Sequence, residues 1–132
     1  MRITVDTNIL VRAVVCDDIQ QAGAATKLLK EAEHIAVPLP CLCEFVWVLR
    51  RVYGLGQKDI HRALHALLNT GNVAVNRPAV DAGLAMLDAG GDFADGLIAF
   101  EGQWLGGETF VSFDRKAVAL LQQQGQAARV LA

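Results

Sequence analysis

The sequence predicts an α/β fold with a parallel sheet covered on both faces. Two observations carry this. The candidate strands are short and almost wholly apolar, as strands buried on both sides are. They also alternate along the chain with amphipathic helices, the pattern of a parallel sheet with crossover helices. Right-handed crossovers then put every strand's C-terminal end on one edge. Ligand sites in such sheets lie at that edge.

The elements follow in order. Arg2-Ile-Thr-Val5 reads as a strand ending at Asp6, with Asp6-Thr7-Asn8 as turn chemistry. Residues 20–33 place Ala25, Leu28, Leu29 and Ala32 at helical spacing. Ile35-Ala36-Val37 is a brief strand bounded by Pro38 and Pro40. Pro40 suits the first turn of a helix, where its missing N–H costs little. That helix runs to Tyr53 and stops at Gly54, with Leu42, Phe45, Val46, Leu49 and Val52 as its apolar stripe. Residues 57–68 form a further helix with Ile60, Leu64, Leu67 and Leu68 inward. Val73-Ala74-Val75 is the third strand, and residues 78–88 a helix that Gly90-Gly91 breaks. Asp92 caps the helix 93–105, ended by Gly106-Gly107. Thr109 to Phe113 is a strand dense in β-formers. A helix over 115–124 and a strand over 128–131 complete the series.

The 132 residues suit one domain, 1–132, and 53% of them are hydrophobic, enough for a core without staples. The net charge of −2 does not announce a nucleic-acid binder, as a basic domain would. It remains compatible with an acidic site that binds an anion through a metal. The opening Met-Arg-Ile-Thr-Val-Asp is not a signal peptide, and no apolar stretch is long enough for a bilayer, so a cytoplasmic protein with no membrane partner is expected. Cys16, Cys41 and Cys43 lack the second pair that a zinc site needs and read as reduced, packed thiols.

Four carboxylates draw the chemistry. Asp6 and Asp114 directly follow candidate strands and so fall on one edge of a parallel sheet. Glu44 is the one charge between Pro40 and Arg50, near its helix N-terminus and the same edge. Asp95 lies in the first turn of the helix opened by Asp92. Three have a plain reading too: Asp6 a turn, Asp95 a capping partner, Asp114 a helix cap; Glu44, a lone acid in an apolar helix, is hardest to dismiss. Together on one edge they would repel and raise one another's pKa. A hard divalent cation, Mg²⁺ or Mn²⁺, resolves that conflict. Such a site supports metal-assisted phosphodiester hydrolysis.

The segments Ile3-Thr-Val-Asp-Thr-Asn-Ile-Leu10, Glu44 in its apolar helix, Asp92-Phe-Ala-Asp-Gly-Leu-Ile-Ala99 and Phe110-Val-Ser-Phe-Asp-Arg-Lys116 resemble, in order and spacing, PIN-domain ribonucleases. The resemblance is closest to the toxin component of VapBC-type toxin–antitoxin pairs. It implies a three-layer α/β/α sandwich with a parallel five-stranded sheet, and Mg²⁺- or Mn²⁺-dependent cleavage of RNA. It places the acidic, metal-binding pocket on Asp6, Glu44, Asp95 and Asp114, with Asp92 as a second-tier acid. It gives Asn8 and Ser112 orienting roles, with Thr7 beside them. It further implies a homodimer and a cognate antitoxin protein as partners. Gly96 and Gly102 stand where larger residues are commoner in the family, so their helix is expected to be locally weak.

The remaining candidates are less specific. His61 and His65 are i, i+4 on one helix face, but no third ligand completes a metal set, and a solvated face is the expectation. Arg50, Arg51, Lys58 and Arg62 form either a phosphate-binding or an ordinary surface patch. Arg115 and Lys116 follow Asp114 and are candidate RNA contacts. Trp47 and Trp104 are expected in the core or a dimer interface. The alternative to an enzyme is a non-catalytic metal-binding regulatory or interaction module of PIN-like fold. A receiver-like domain fits poorly, because Thr7-Asn8, not a second acid, follows Asp6. A flap-type nuclease needs more chain.

Overall fold

The computed structural model describes residues 1–131, which divide into two compact units, residues 1–76 and residues 77 onward. The first unit runs β1 (Arg2–Thr4), α1 (Thr7–Val14), α2 (Ile19–Glu31), β2 (His34–Ala36), α3 (Leu39–Arg51), α4 (Gln57–Leu68) and β3 (Val73–Ala74). Its sheet has the order β1-β2-β3, parallel throughout, with Ile3 opposite Ile35 and Ile35 opposite Val73. Ile35, Leu42, Phe45, Leu49, Ile60 and Leu64 are all at most 1% exposed and form its centre. Each such side chain stabilises the fold by about 1.5–3 kcal/mol relative to exposure. Asn72 ties β3 to the end of α2, donating from Nδ2 to the carbonyls of Leu29 and Ala32 at 2.9 and 2.8 Å.

Helix α1 is absent from the sequence reading, which ended the first strand in a turn. Asp6 is instead the N-cap of a helix whose buried positions, Thr7, Leu10 and Val11, lie on one face. The run Ile9-Leu-Val11 and Val14-Val15 is rich in β-branched residues of modest helix propensity. Burial of one face overrides that preference.

The second unit runs α5 (Arg77–Asp88), α6 (Phe93–Trp104), β4 (Phe110–Ser112), α7 (Arg115–Gln123) and β5 (Ala128–Val130). Strands β4 and β5 pair in parallel, Val111 opposite Arg129. Met86, Ala99, Ala117 and Leu121 form a buried cluster, with Phe110 and Leu120 against it. Gly90, at φ 90°, turns the chain from α5 toward α6. Gly83 and Gly96 let α5 and α6 pack closely. A Cβ at Gly96 would collide with the Ala82 carbonyl oxygen and lie 2.8 Å from the Gly83 Cα. The helix expected to be weak at Gly96 is therefore held there by close backbone contact. At Gly102 a Cβ meets nothing within 4 Å.

Within each unit the strands pair in parallel, as expected, but they form a three-stranded and a two-stranded sheet, not one five-stranded sheet. Strands of two or three residues carry few ladder bonds, and each sheet is complete on the pairs described above. Trp47 and Trp104 are 58% and 78% exposed, which corrects the core half of their expectation and leaves the dimer-interface half an expectation. The expectation of packed thiols is corrected in part. Cys41 is buried, but Cys16 is exposed. No helix among the described residues is long and apolar enough to cross a membrane.

Candidate active site

The predicted acids fall into two local groups, one in each unit. In the first unit, Asp6 follows β1 in an extended conformation (φ −88°, ψ 163°) and caps α1, its Oδ1 accepting from the Thr7 amide at 2.7 Å. The partial positive charge of a helix N-terminus favours a carboxylate there. Thr7 is the one buried polar residue among those described, and its hydroxyl donates to Glu44 Oε2 at 2.8 Å. Thr7 thus joins the Asp6 turn to α3, 37 residues on. Glu44 itself is exposed rather than sunk in apolar surroundings. Its apolar sequence neighbours Phe45 and Val46 face the core, while its own carboxylate stands off that face.

Beside this pair lies the Cys41 thiol. Burial pushes it above the usual thiol range, and Asp6 and Glu44 push the same way against a Thr7 hydrogen bond. Burial and the two neighbouring carboxylates thus both disfavour its thiolate form.

A cleft of about 320 Å³ runs along this group. Asp6, Thr7, Asn8 and Glu44 line it together with Arg12 and Tyr53, over a wall of valines. Arg12 Nη1 donates to Asp17 Oδ1 at 2.7 Å, and the Tyr53 hydroxyl donates to Asp17 Oδ2 at 2.9 Å. These two bonds, Tyr53 first, hold the Asp17 carboxyl below the usual range. The same contacts raise Arg12 and Tyr53, chiefly through Asp17. Arg12, Asp17 and Tyr53 were not singled out in the sequence. Their link spans 36 residues, and no local spacing announces it.

In the second unit, three acids surround the start of α6 and α7. Asp92 caps α6, accepting from the Ala94 amide at 2.9 Å. Asp114 caps α7, accepting from the Ala117 amide at 3.0 Å, and its own amide donates to Ser112 Oγ at 3.0 Å. Asp95, one turn into α6, is partly buried. Its carboxyl is pushed up, by burial first and then by Asp92 and Asp114, and no hydrogen bond offsets them. Mutual repulsion of carboxylates, expected from sequence, thus acts on Asp95 within this unit. The plain capping readings of Asp92 and Asp114 are also met, whereas Asp6 caps a helix where a turn was expected; in each case the cap uses one of the two carboxylate oxygens. Arg115 and Lys116 are exposed in the first turn of α7.

Among the described residues no three His, Cys, Asp or Glu side chains stand grouped tightly enough to hold a metal ion. The acids nonetheless offer only oxygen donors, the type Mg²⁺ and Mn²⁺ take, and Asp95 is an under-compensated carboxylate of the kind a cation relieves. The residues present fit such an ion in donor chemistry. His61 and His65 stack with ring centroids 4.2 Å apart and belong to no metal group among the described residues. Arg62 pairs with Asp59 at 3.7 Å on the exposed face of α4.

Residues 3–120 match the model of the PIN domain family. The chain belongs to that family, whose members are mostly metal-dependent nucleases, and the match includes residues of both units. No match was found among curated proteins.

Proposed function

We propose that this chain is an Mg²⁺- or Mn²⁺-dependent endoribonuclease and the toxin of a type II toxin–antitoxin pair. In this reading Asp6, Glu44, Asp95 and Asp114 hold the cation, and Asp92 assists. The observation that carries it is Asp95, a partly buried carboxylate pressed by two others with no compensating donor, in a chain of a nuclease family. A bound divalent ion supplies a water of lowered pKa and neutralises charge on the scissile phosphate.

The protein's own groups prepare that chemistry. The Thr7 hydroxyl fixes the Glu44 carboxylate, and the Thr7 amide fixes Asp6 through Oδ1, leaving Oδ2 for a cation. Ser112 holds the Asp114 backbone, and the Ala117 amide occupies only one Asp114 oxygen. Asn8, exposed one position after Thr7, lines the cleft as a hydrogen-bonding group for substrate. Arg115 and Lys116 extend from α7 as phosphate contacts. A homodimer and an antitoxin that blocks the acidic pocket complete the proposal.

The alternative, a non-catalytic metal-binding module, shares the fold and the acids but not the hydrolysis. Incubating total RNA with the protein and Mg²⁺ or Mn²⁺ separates the two. Cleavage abolished by EDTA and by Asp6→Asn supports the enzyme. Cleavage that survives either change overturns it, and metal binding without cleavage leaves the module.

A further inference from the structure

Arg12 is the only cation among the residues lining the cleft that holds Asp6 and Glu44. A second cleft of about 480 Å³ adjoins the same helix, lined by Asn8, Ile9, Arg12 and Gln21 over Ala24, Ala25 and Leu28. The two clefts share Asn8 and Arg12. These residues are i, i+4 on α1 and so lie on one face of it. The track thus starts at the carboxylates, passes Asn8 and Arg12, and continues to Gln21 over an apolar floor. A polyanion passing an acidic site in a protein of net charge −2 needs donors to its phosphates, and Arg12, ion-paired with Asp17, is the guanidinium the track supplies.

Resting on the ribonuclease reading above, we infer that Arg12 binds a backbone phosphate of single-stranded RNA next to the one being cut, and that Asp17 holds its guanidinium in place for this. Six residues separate Asp6 from Arg12, which is about 9 Å along a helix axis. That offset suits a neighbouring phosphate better than the scissile one. A guanidinium carries five N–H donors in a planar fork, and the Asp17 bond uses one nitrogen, Nη1. Donors beyond those that meet Asp17 and Tyr53 can take a phosphate in the bidentate manner arginine favours. Tyr53 braces Asp17 through its 2.9 Å hydrogen bond to the other carboxylate oxygen and also interacts with Arg12. The contact is to the backbone, so it adds affinity without sequence preference.

The test is binding of a fluorescent random-sequence single-stranded RNA pool in Ca²⁺ buffer, measured by anisotropy over a range of salt, with thermal unfolding of each variant. Arg12→Gln is expected to weaken binding about tenfold. It is also expected to flatten the dependence of log K on log salt by about 0.7, the value for one phosphate contact on a single strand. Asp17→Asn keeps an acceptor for Arg12 and removes a negative charge, so it binds RNA as tightly as the wild type or more tightly. A bracing role alone would make the two variants fall together with no change of slope. Equal weakening of both, or an Arg12→Gln slope like the wild type, overturns the inference while the ribonuclease reading stands. A wild-type protein that neither binds nor cuts the pool overturns both.

Discussion

Replacing Gly96 by alanine, with Gly102→Ala as its partner in the same helix, separates helix propensity from helix packing. By propensity alone both changes stabilise, since alanine is better than glycine in a helix by about 1 kcal/mol. At Gly102 nothing lies within 4 Å of the new Cβ, so that gain is expected in full, about 0.5–1 kcal/mol. At Gly96 the Cβ meets backbone atoms of α5: the Ala82 carbonyl oxygen, the Gly83 Cα at 2.8 Å and the Ala82 carbonyl carbon at 2.9 Å. Backbone cannot rotate away. Reaching ordinary contact at 3.4 Å from Gly83 means lifting α6 by about 0.6 Å, and more at the carbonyl oxygen. Overpacking of this kind costs about 1–3 kcal/mol and outweighs the propensity gain at its upper end. A rigid backbone partner puts Gly96 at that end, so a net loss of about 1–2 kcal/mol is expected. Tm then falls by about 3–8 °C for Gly96→Ala and rises by about 2–4 °C for Gly102→Ala. Thermal unfolding by circular dichroism measures both. A Gly96→Ala protein as stable as Gly102→Ala would refute the close-packing argument. Because Asp92 and Asp95 ride on α6, Gly96→Ala also lowers any nuclease activity beyond its effect on stability.

Asp6→Asn and Asp114→Asn keep an N-cap acceptor, so each changes stability by only a few tenths of a kcal/mol, whereas alanine at either position costs about 1 kcal/mol. Both asparagine variants lose the rise in Tm that Mg²⁺ or Mn²⁺ gives the wild type, as ligand linkage requires; a retained rise contradicts their role as ligands. The Asp95 carboxyl is raised in the folded state, so the native protein holds its proton more tightly than the unfolded chain. Its stability cost is absent below the ordinary value of 3.8, grows as pH rises through the window above it, and is complete beyond the folded pKa. Metal-free Asp95→Asn is therefore more stable than the wild type at pH 7, with the difference closing on acidification below 3.8, which urea unfolding at several pH values checks. Thr7→Val removes the hydroxyl that holds Glu44 and costs about 0.5–1.5 kcal/mol in denaturant melts; its kcat falls while its far-UV spectrum is unchanged.

Much of this was readable from residues. Every strand and all but one helix lie near their expected positions, because Gly54, Gly90 and Gly106 end helices where the pattern stops and take positive φ. Asp6 and Asp114 follow β1 and β4 closely, as strand chemistry indicated. The failures have a common cause: they depend on contacts between distant segments. Helix α1 carries strand-like residues and is decided by burial of Leu10 and Val11. Sheet division depends on which edges pair, and two- or three-residue strands carry little sequence information about that. Gly96 looked like a weak point because the sequence does not show α5 lying against it. The Arg12–Asp17–Tyr53 link joins α1 to the end of α3 and has no local signature.

Hydrolysis by a metal-held water, the central claim, is tested most directly by the ends of the RNA fragments. EDTA-treated protein is given a single-stranded RNA substrate, Mn²⁺ is added back, and the products are analysed by mass spectrometry. Water as nucleophile predicts cleavage only after Mn²⁺ is restored, with no 2′,3′-cyclic phosphate on any fragment. Cleavage in EDTA, or fragments ending in a cyclic phosphate made by the RNA's own 2′-hydroxyl, would contradict it.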